Sequence, residues 1–198
     1  MSQSKSKSKS KNTVDFASAV QINVLVVIDT EYVKTHYPNP STDPANPTGI
    51  DHKSQFMICT DPRGVISGQG TADLNFTANP GDLVSFVGQS IYANSDDAVI
   101  LYGIKKNDSI QPSDTVFNPF VVNVVKRTGA VVPNTNSPSG NGLPATQMPV
   151  NFITLDSKIA GAGTEAFLVQ FGLYTLDANG ENQNLFGYYE WDPTVTVP

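Results

Sequence analysis

A chain of 198 residues, 39% of them hydrophobic and 15% charged, can bury one sizeable core and need not be divided into two domains. Valine outnumbers leucine 21 to 10, and 15 Gly and 14 Pro punctuate the chain, a balance that excludes an all-helical protein and favours short strands joined by tight turns. Four of the twelve basic residues are Lys5, Lys7, Lys9 and Lys11, so the rest of the chain sets eight basic side chains against eighteen acidic ones. A body of that sign repels phosphate backbones and carries no basic patch, which argues against nucleic acid as a partner.

In chain order, residues 1–18 begin MSQSKSKSKSKNT, with too little apolar surface to offset the entropy lost on ordering. They read as a flexible, solvated head, or as an electrostatic tether to an acidic surface such as a neighbouring copy's body. No apolar run nears the roughly 20 residues of a membrane span, and Lys/Ser alternation stands where a secretory signal needs an apolar stretch, so a cytoplasmic address and no membrane partner are expected. One cysteine, Cys59, excludes an intramolecular disulfide framework and any multi-Cys metal site, in keeping with a reducing compartment.

From Val20 the hydrophobic period becomes two. Val20, Ile22, Val24, Val26 and Ile28 share one face of a strand, and Gln21, Asn23, Leu25 and Val27 the other. Further strands are predicted over residues 55–60, 71–77, 83–89, 98–105, 120–126, 150–155, 165–176, 185–191 and 194–197. Turn chemistry falls between them at Asp61-Pro62-Arg63-Gly64, Asn79-Pro80-Gly81-Asp82 and Asp177-Ala178-Asn179-Gly180, the last linking a hairpin. Residues 36–54 and 129–149, rich in Pro, Asn, Ser and Gly, read as long surface loops and places to look for a partner surface. The pattern predicts an all-β fold: a single antiparallel β-sandwich, jelly-roll or immunoglobulin-like, over residues 19–198.

Candidate chemistry is sparse. Cys59 lies within the apolar run Phe56-Met57-Ile58-Cys59 and reads as a small buried side chain, not as a nucleophile paired with His36 or His52. His36, Asp43, Asp51 and His52 share one proline-rich loop, but their spacing matches no metal-ligand pattern. Asp177-Ala178-Asn179-Gly180 departs from a calcium loop, and Gly68-Gln69-Gly70 from a dinucleotide fingerprint, suiting a bulge or close strand approach instead. No catalytic residue, metal site or cofactor is therefore predicted. Asp29 with Glu31, and Glu190 with Asp192, are expected to project as pairs from strand ends, with Trp191 on the opposite face and more suited to a core than to a sugar platform. Were there a ligand or an interface, Asp29, Glu31 and Asp192 would supply acceptors and Tyr189 and Trp191 apolar surfaces. The corresponding alternative function is a lectin-like module dependent on carbohydrate or calcium.

Several stretches look familiar together: INVLVVIDTE over residues 22–31, HYPNPSTDPANPT from His36, Gln55-Phe56-Met57-Ile58, Ser67-Gly68-Gln69-Gly70, Asn79-Pro80-Gly81-Asp82, and the closing Gly187-Tyr188-Tyr189-Glu190-Trp191-Asp192-Pro193. In this order and spacing they resemble the bacterial PixA/AidA inclusion-body protein family, over about residues 20–198. The resemblance implies a cytoplasmic protein able to accumulate to high levels, in some members as crystalline inclusions and in others under quorum-sensing control, with no established enzymatic activity. It transfers no catalytic residue and favours self-association into a dimer or higher oligomer. With three methionines, the chain is not suited to storing methionine.

Overall fold

The computed structural model describes residues 18–60 and 62–197, so the head over residues 1–17 lies outside the described part. The elements in chain order are β1 (Gln21–Ile28), α1 (Thr30–His36), β2 (Thr48–Gly49), β3 (Gln55–Cys59), β4 (Val65–Ser67), β5 (Asn75–Phe76), β6 (Leu83–Ser90), β7 (Ala98–Lys106), β8 (Val121–Val132), β9 (Thr146–Lys158), β10 (Gly163–Leu176), β11 (Gln183–Trp191) and β12 (Thr194–Val197). One sheet runs β3-β1-β6-β9-β8, and β4 and β5 form a small ribbon of their own. The described residues are all-β apart from one short helix.

In the other sheet, β10 is the central strand. β7 takes one of its edges, and β11 and β12 run end to end along the other, in one register from Leu173↔Gly187 to Gly163↔Val197, with a shift between Leu173 and Tyr174 before the hairpin end. The backbone N–H of Phe167 donates to the Pro193 carbonyl at 3.0 Å, so the ladder bridges the Asp192-Pro193 joint. β2 then flanks β11.

The alternation read in β1 is real: Ile22, Val24, Val26 and Ile28 are buried, while Gln21 and Asn23 face solvent. They share one core with Phe86 of β6 and with Phe167, Val169, Phe171 and Leu173 of β10. Phe86 and Phe167 meet edge to face, with ring centroids 6.3 Å apart, linking the two large sheets. The apolar faces of both sheets thus remove one another from water.

Two pairings depart from the expected antiparallel order. β1 lies parallel to β6, and β11 parallel to β2. Parallel neighbours need a long crossover, and residues 29–82 supply one between β1 and β6. Residues 71–77 also shrink as a strand. Ala72, Leu74, Phe76 and Ala78 are alternately buried as the pattern requires, but only Asn75 and Phe76 belong to β5, because residues 68–73 turn around Gly68. A Cβ at Gly68 would stand 2.2 Å from the Asp73 carbonyl oxygen, and its φ is +74°, so this is the close approach the glycine signalled.

The largest correction concerns residues 129–149. They are not one long loop: β8 continues to Val132, β9 starts at Thr146, and only residues 133–145 connect them. β9 pairs with β6 only over Leu155–Lys158, whereas it pairs with β8 from Asp156 back to Thr146. The hairpin therefore projects past the sheet as a two-stranded arm. Its strand conformation comes from cross-strand pairing and not from a buried face, so no alternating pattern was required of it.

The turn at Asn79-Pro80-Gly81-Asp82 is braced by a buried ion pair. Asp82, 1% exposed, accepts hydrogen bonds from Arg63 Nε at 2.6 Å and Nη2 at 2.8 Å, and from the backbone N–H groups of Val20 (3.0 Å) and Asn79 (2.7 Å). Arg63 Nη2 also donates to the Ser18 carbonyl at 2.9 Å. One carboxylate thereby joins the start of β1, the turn before β6 and the segment before β4.

Candidate functional site

The expected acidic pair at the end of β1 is not a pair on a strand face. β1 stops at Ile28, and Asp29 caps α1, its carboxylate accepting from the Tyr32 N–H at 3.1 Å. The local signal is an Asp N-cap, Glu31 in the first turn, and Lys34 and His36 in the last, each favoured by the helix dipole. A seven-residue helix is too short to show a period of its own. Glu31 turns instead toward Lys34 (2.8 Å) and Tyr92 (3.2 Å), and Lys34 also reaches the buried Asp97 at 2.7 Å.

The loop after α1 is held by polar contacts that chain distance conceals. The Tyr32 hydroxyl donates to Asp51 at 2.8 Å, the Tyr37 hydroxyl accepts from the Asp51 N–H at 2.8 Å, and the Tyr189 hydroxyl donates to the Tyr37 carbonyl at 3.0 Å. Pro40 packs against Gly187, where a Cβ would stand 2.2 Å from it. The four loop residues weighed as metal ligands are engaged separately. His36 stacks on Tyr32 with ring centroids 3.9 Å apart, Asp43 accepts from Ala45 N and Asn46 Nδ2, and Asp51 and His52 find different partners. Among the described residues, no group of three or more His, Cys, Asp and Glu is arranged to hold a metal ion.

His52 is the most engaged titratable group. Its Nδ1 lies 2.5 Å from Asp73 and its Nε2 2.9 Å from Asp192, a contact network across 21 and 140 residues of chain that no local motif announces. With a carboxylate on each ring nitrogen, the imidazole ties the loop, the segment before β5 and the β11–β12 joint together, and offers neither nitrogen to a substrate. Asp192 thus lies beyond β11 as a partner of His52, while Glu190, inside β11, accepts from Gln170 at 2.8 Å.

Partial burial lowers the His52 pKa, but the hydrogen bonds to Asp192 and Asp73 outweigh it and hold the imidazole above its ordinary 6.5. A raised folded-state pKa makes the stabilisation complete below the unfolded value, and that stabilisation is lost as pH rises through the folded one. His52→Gln should therefore melt below the wild type under mildly acidic conditions, with the gap narrowing as the medium becomes alkaline. Thermal melts across that range read it; a gap of constant size would show that the charge on His52 contributes nothing.

Tyr189 and Trp191 are fully buried, at 0% and 1% exposure, and leave no ring face for a sugar. Trp191 lies edge to face on Phe171 at 6.0 Å, and its Nε1–H donates to the Ala72 carbonyl at 3.3 Å. Cys59 is buried within β3, as its apolar context predicted. A groove of about 280 Å³ lies between β6, β7 and β9, lined by Phe86, Gly88, Gln89, Ile100, Phe152 and Ile153 among others. Its lining includes neither Cys59 nor either histidine.

An all-β protein with a braced proline-rich loop, its conspicuous aromatics in the core and an apolar arm is the class these observations define. The chain belongs to the PixA family, described as inclusion body proteins, which matches residues 20–197. It is similar to the crystal structure of an inclusion body protein of that family from Burkholderia cenocepacia J2315, with 33% sequence identity and a TM-score of 0.78, covering 92% of this chain and 98% of the other. No curated protein matches it. No helix among the described residues is long and apolar enough to cross a membrane.

Proposed function

We propose that this chain is a non-enzymatic accumulation protein of the cytoplasm that associates with copies of itself, built as one β-sandwich of jelly-roll or immunoglobulin-like type. Two large sheets contributing side chains to one core support the sandwich reading. The observation that carries association is the β8–β9 arm. Val121 and Val122 are each 62% exposed, Val124 is 56% and Val131 71% exposed, on a twelve-residue strand whose outer edge has no ladder partner among the described residues. A long, apolar, unpaired edge is a template for another chain.

Light scattering over a rising concentration series tests this, with thermal shift over sugars and divalent ions on the same samples. The expected result is a mass that grows with concentration and a melting temperature that no ligand raises. A strictly monomeric mass throughout would overturn the proposal.

A further inference from the structure

We infer that the β8–β9 arm docks on the body of a second copy of this chain, with its valines over the groove between β6, β7 and β9 and its basic side chains against that copy's carboxylates. This rests on the self-association proposed above and adds its partner surface. Charge chooses the occupant. Residues 115–155 contain no Asp or Glu but include Lys126 and Arg127. The other described residues carry sixteen acidic and six basic side chains. An arm of one sign on a body of the other repels a second arm and attracts a second body.

The arm and the groove are also matched in kind. β8 is about 40 Å long at ~3.3 Å per residue, and natural edge strands are commonly blunted by charge. Here Lys126 and Arg127 are the only charged residues, and valines occupy both ends. At the root of the arm, where β9 residues 151–155 form one wall of the groove, the pairing of β6 with β9 stops at Phe86↔Leu155. Beyond it the two strands diverge, and the groove opens beside Val87, Gly88 and Gln89. Ile100 in its wall is 52% exposed, and Ile91 and Tyr92, just past β6, are 59% and 38% exposed. Acids lie beside this apolar patch: the Tyr92 hydroxyl contacts Glu31 at 3.2 Å, and Asp96 is exposed two residues beyond the groove-lining Asn94. Apolar strand meets apolar patch, and cations meet an acidic flank.

The test compares association of the full chain with that of variants by sedimentation and light scattering. Val122→Lys/Val124→Lys and Lys126→Glu/Arg127→Glu should each associate at least tenfold more weakly than wild type, with unchanged melting temperatures. Ile66→Lys, an exposed apolar site on β4, should associate normally. Adding Glu31→Lys/Asp96→Lys to Lys126→Glu/Arg127→Glu should restore association by reversing both charges. If the valine double variant melts early, the charge-reversal pair, confined to exposed side chains, carries the test alone. Wild-type association by every arm variant would overturn the docking inference and leave the proposed function standing, whereas a wild type that never associates would overturn that function first.

Discussion

Replacing Asp82 with Asn should cost about 3–5 kcal/mol, the largest effect expected of any single charged position here, because it strands the Arg63 guanidinium against a neutral partner in a buried pair. For a chain of this length such a loss lowers the melting temperature by about 6–20 °C. Hydrogen bonds from Arg63 act against burial, and with the N–H groups of Val20 and Asn79 they hold the Asp82 carboxyl down at about 2, against 3.8 for the free group. A depressed folded-state pKa stabilises above the unfolded value and ceases to do so as pH falls through the folded one. About 2 kcal/mol of stability should therefore disappear between pH ~4 and pH ~2, and the Asp82→Asn variant should lack that acid-dependent component. Urea unfolding of both proteins at several acidic pH values measures this; identical pH slopes would remove Asp82 from the account.

Trp191→Ala should cost roughly 3 to 5 kcal/mol through lost burial and the cavity left beside Phe171. Trp191→Phe separates ring from hydrogen bond. It should recover most of the packing while leaving the Ala72 carbonyl without its indole donor, a penalty on the order of 1–3 kcal/mol. Chemical denaturation gives both numbers. A Trp191→Ala protein that unfolds like the wild type but no longer associates would make Trp191 an interface residue, contrary to its 1% exposure.

Legibility in the sequence tracked burial. β1 was readable because each of its inward residues is an aliphatic one facing the core. β12 and the hairpin turn at residues 177–180 were readable because alternation and turn residues coincide there: Gly180, at φ +74°, donates its N–H to the Asp177 carbonyl at 3.0 Å. The arm was only half readable, since Lys126-Arg127-Thr128-Gly129 breaks the alternation and its strands are stabilised by one another. Asp29 and Glu31 follow the strand pattern of β1 without a break in sequence, and the seven-residue helix they begin is too short to announce itself.

Long-range polar partners were the least visible feature. Nothing about residues 52, 73 and 192 in sequence says that two carboxylates will bracket one imidazole, nor does turn chemistry at residues 61–64 and 79–82 say that Arg63 and Asp82 will pair. Both contacts follow from the parallel crossover between β1 and β6 in one sheet and from the joint between β11 and β12 in the other, which depend on long-range strand pairing and not on any local run of residues.

The central position of β10 sets the order in which the molecule can be completed as it leaves the ribosome. β2 and β7 have their own sheet's partners in β11 and β10, strands that emerge only after residue 162. At a synthesis rate of about 5–20 residues per second, β7 waits several seconds with its apolar side chains uncovered, while the β8–β9 hairpin, closed by residues 133–145, can already have formed. Nascent chains on one polysome would then present finished arms next to unfinished bodies, and a stop codon between β9 and β10 would leave those arms without a mature surface to meet.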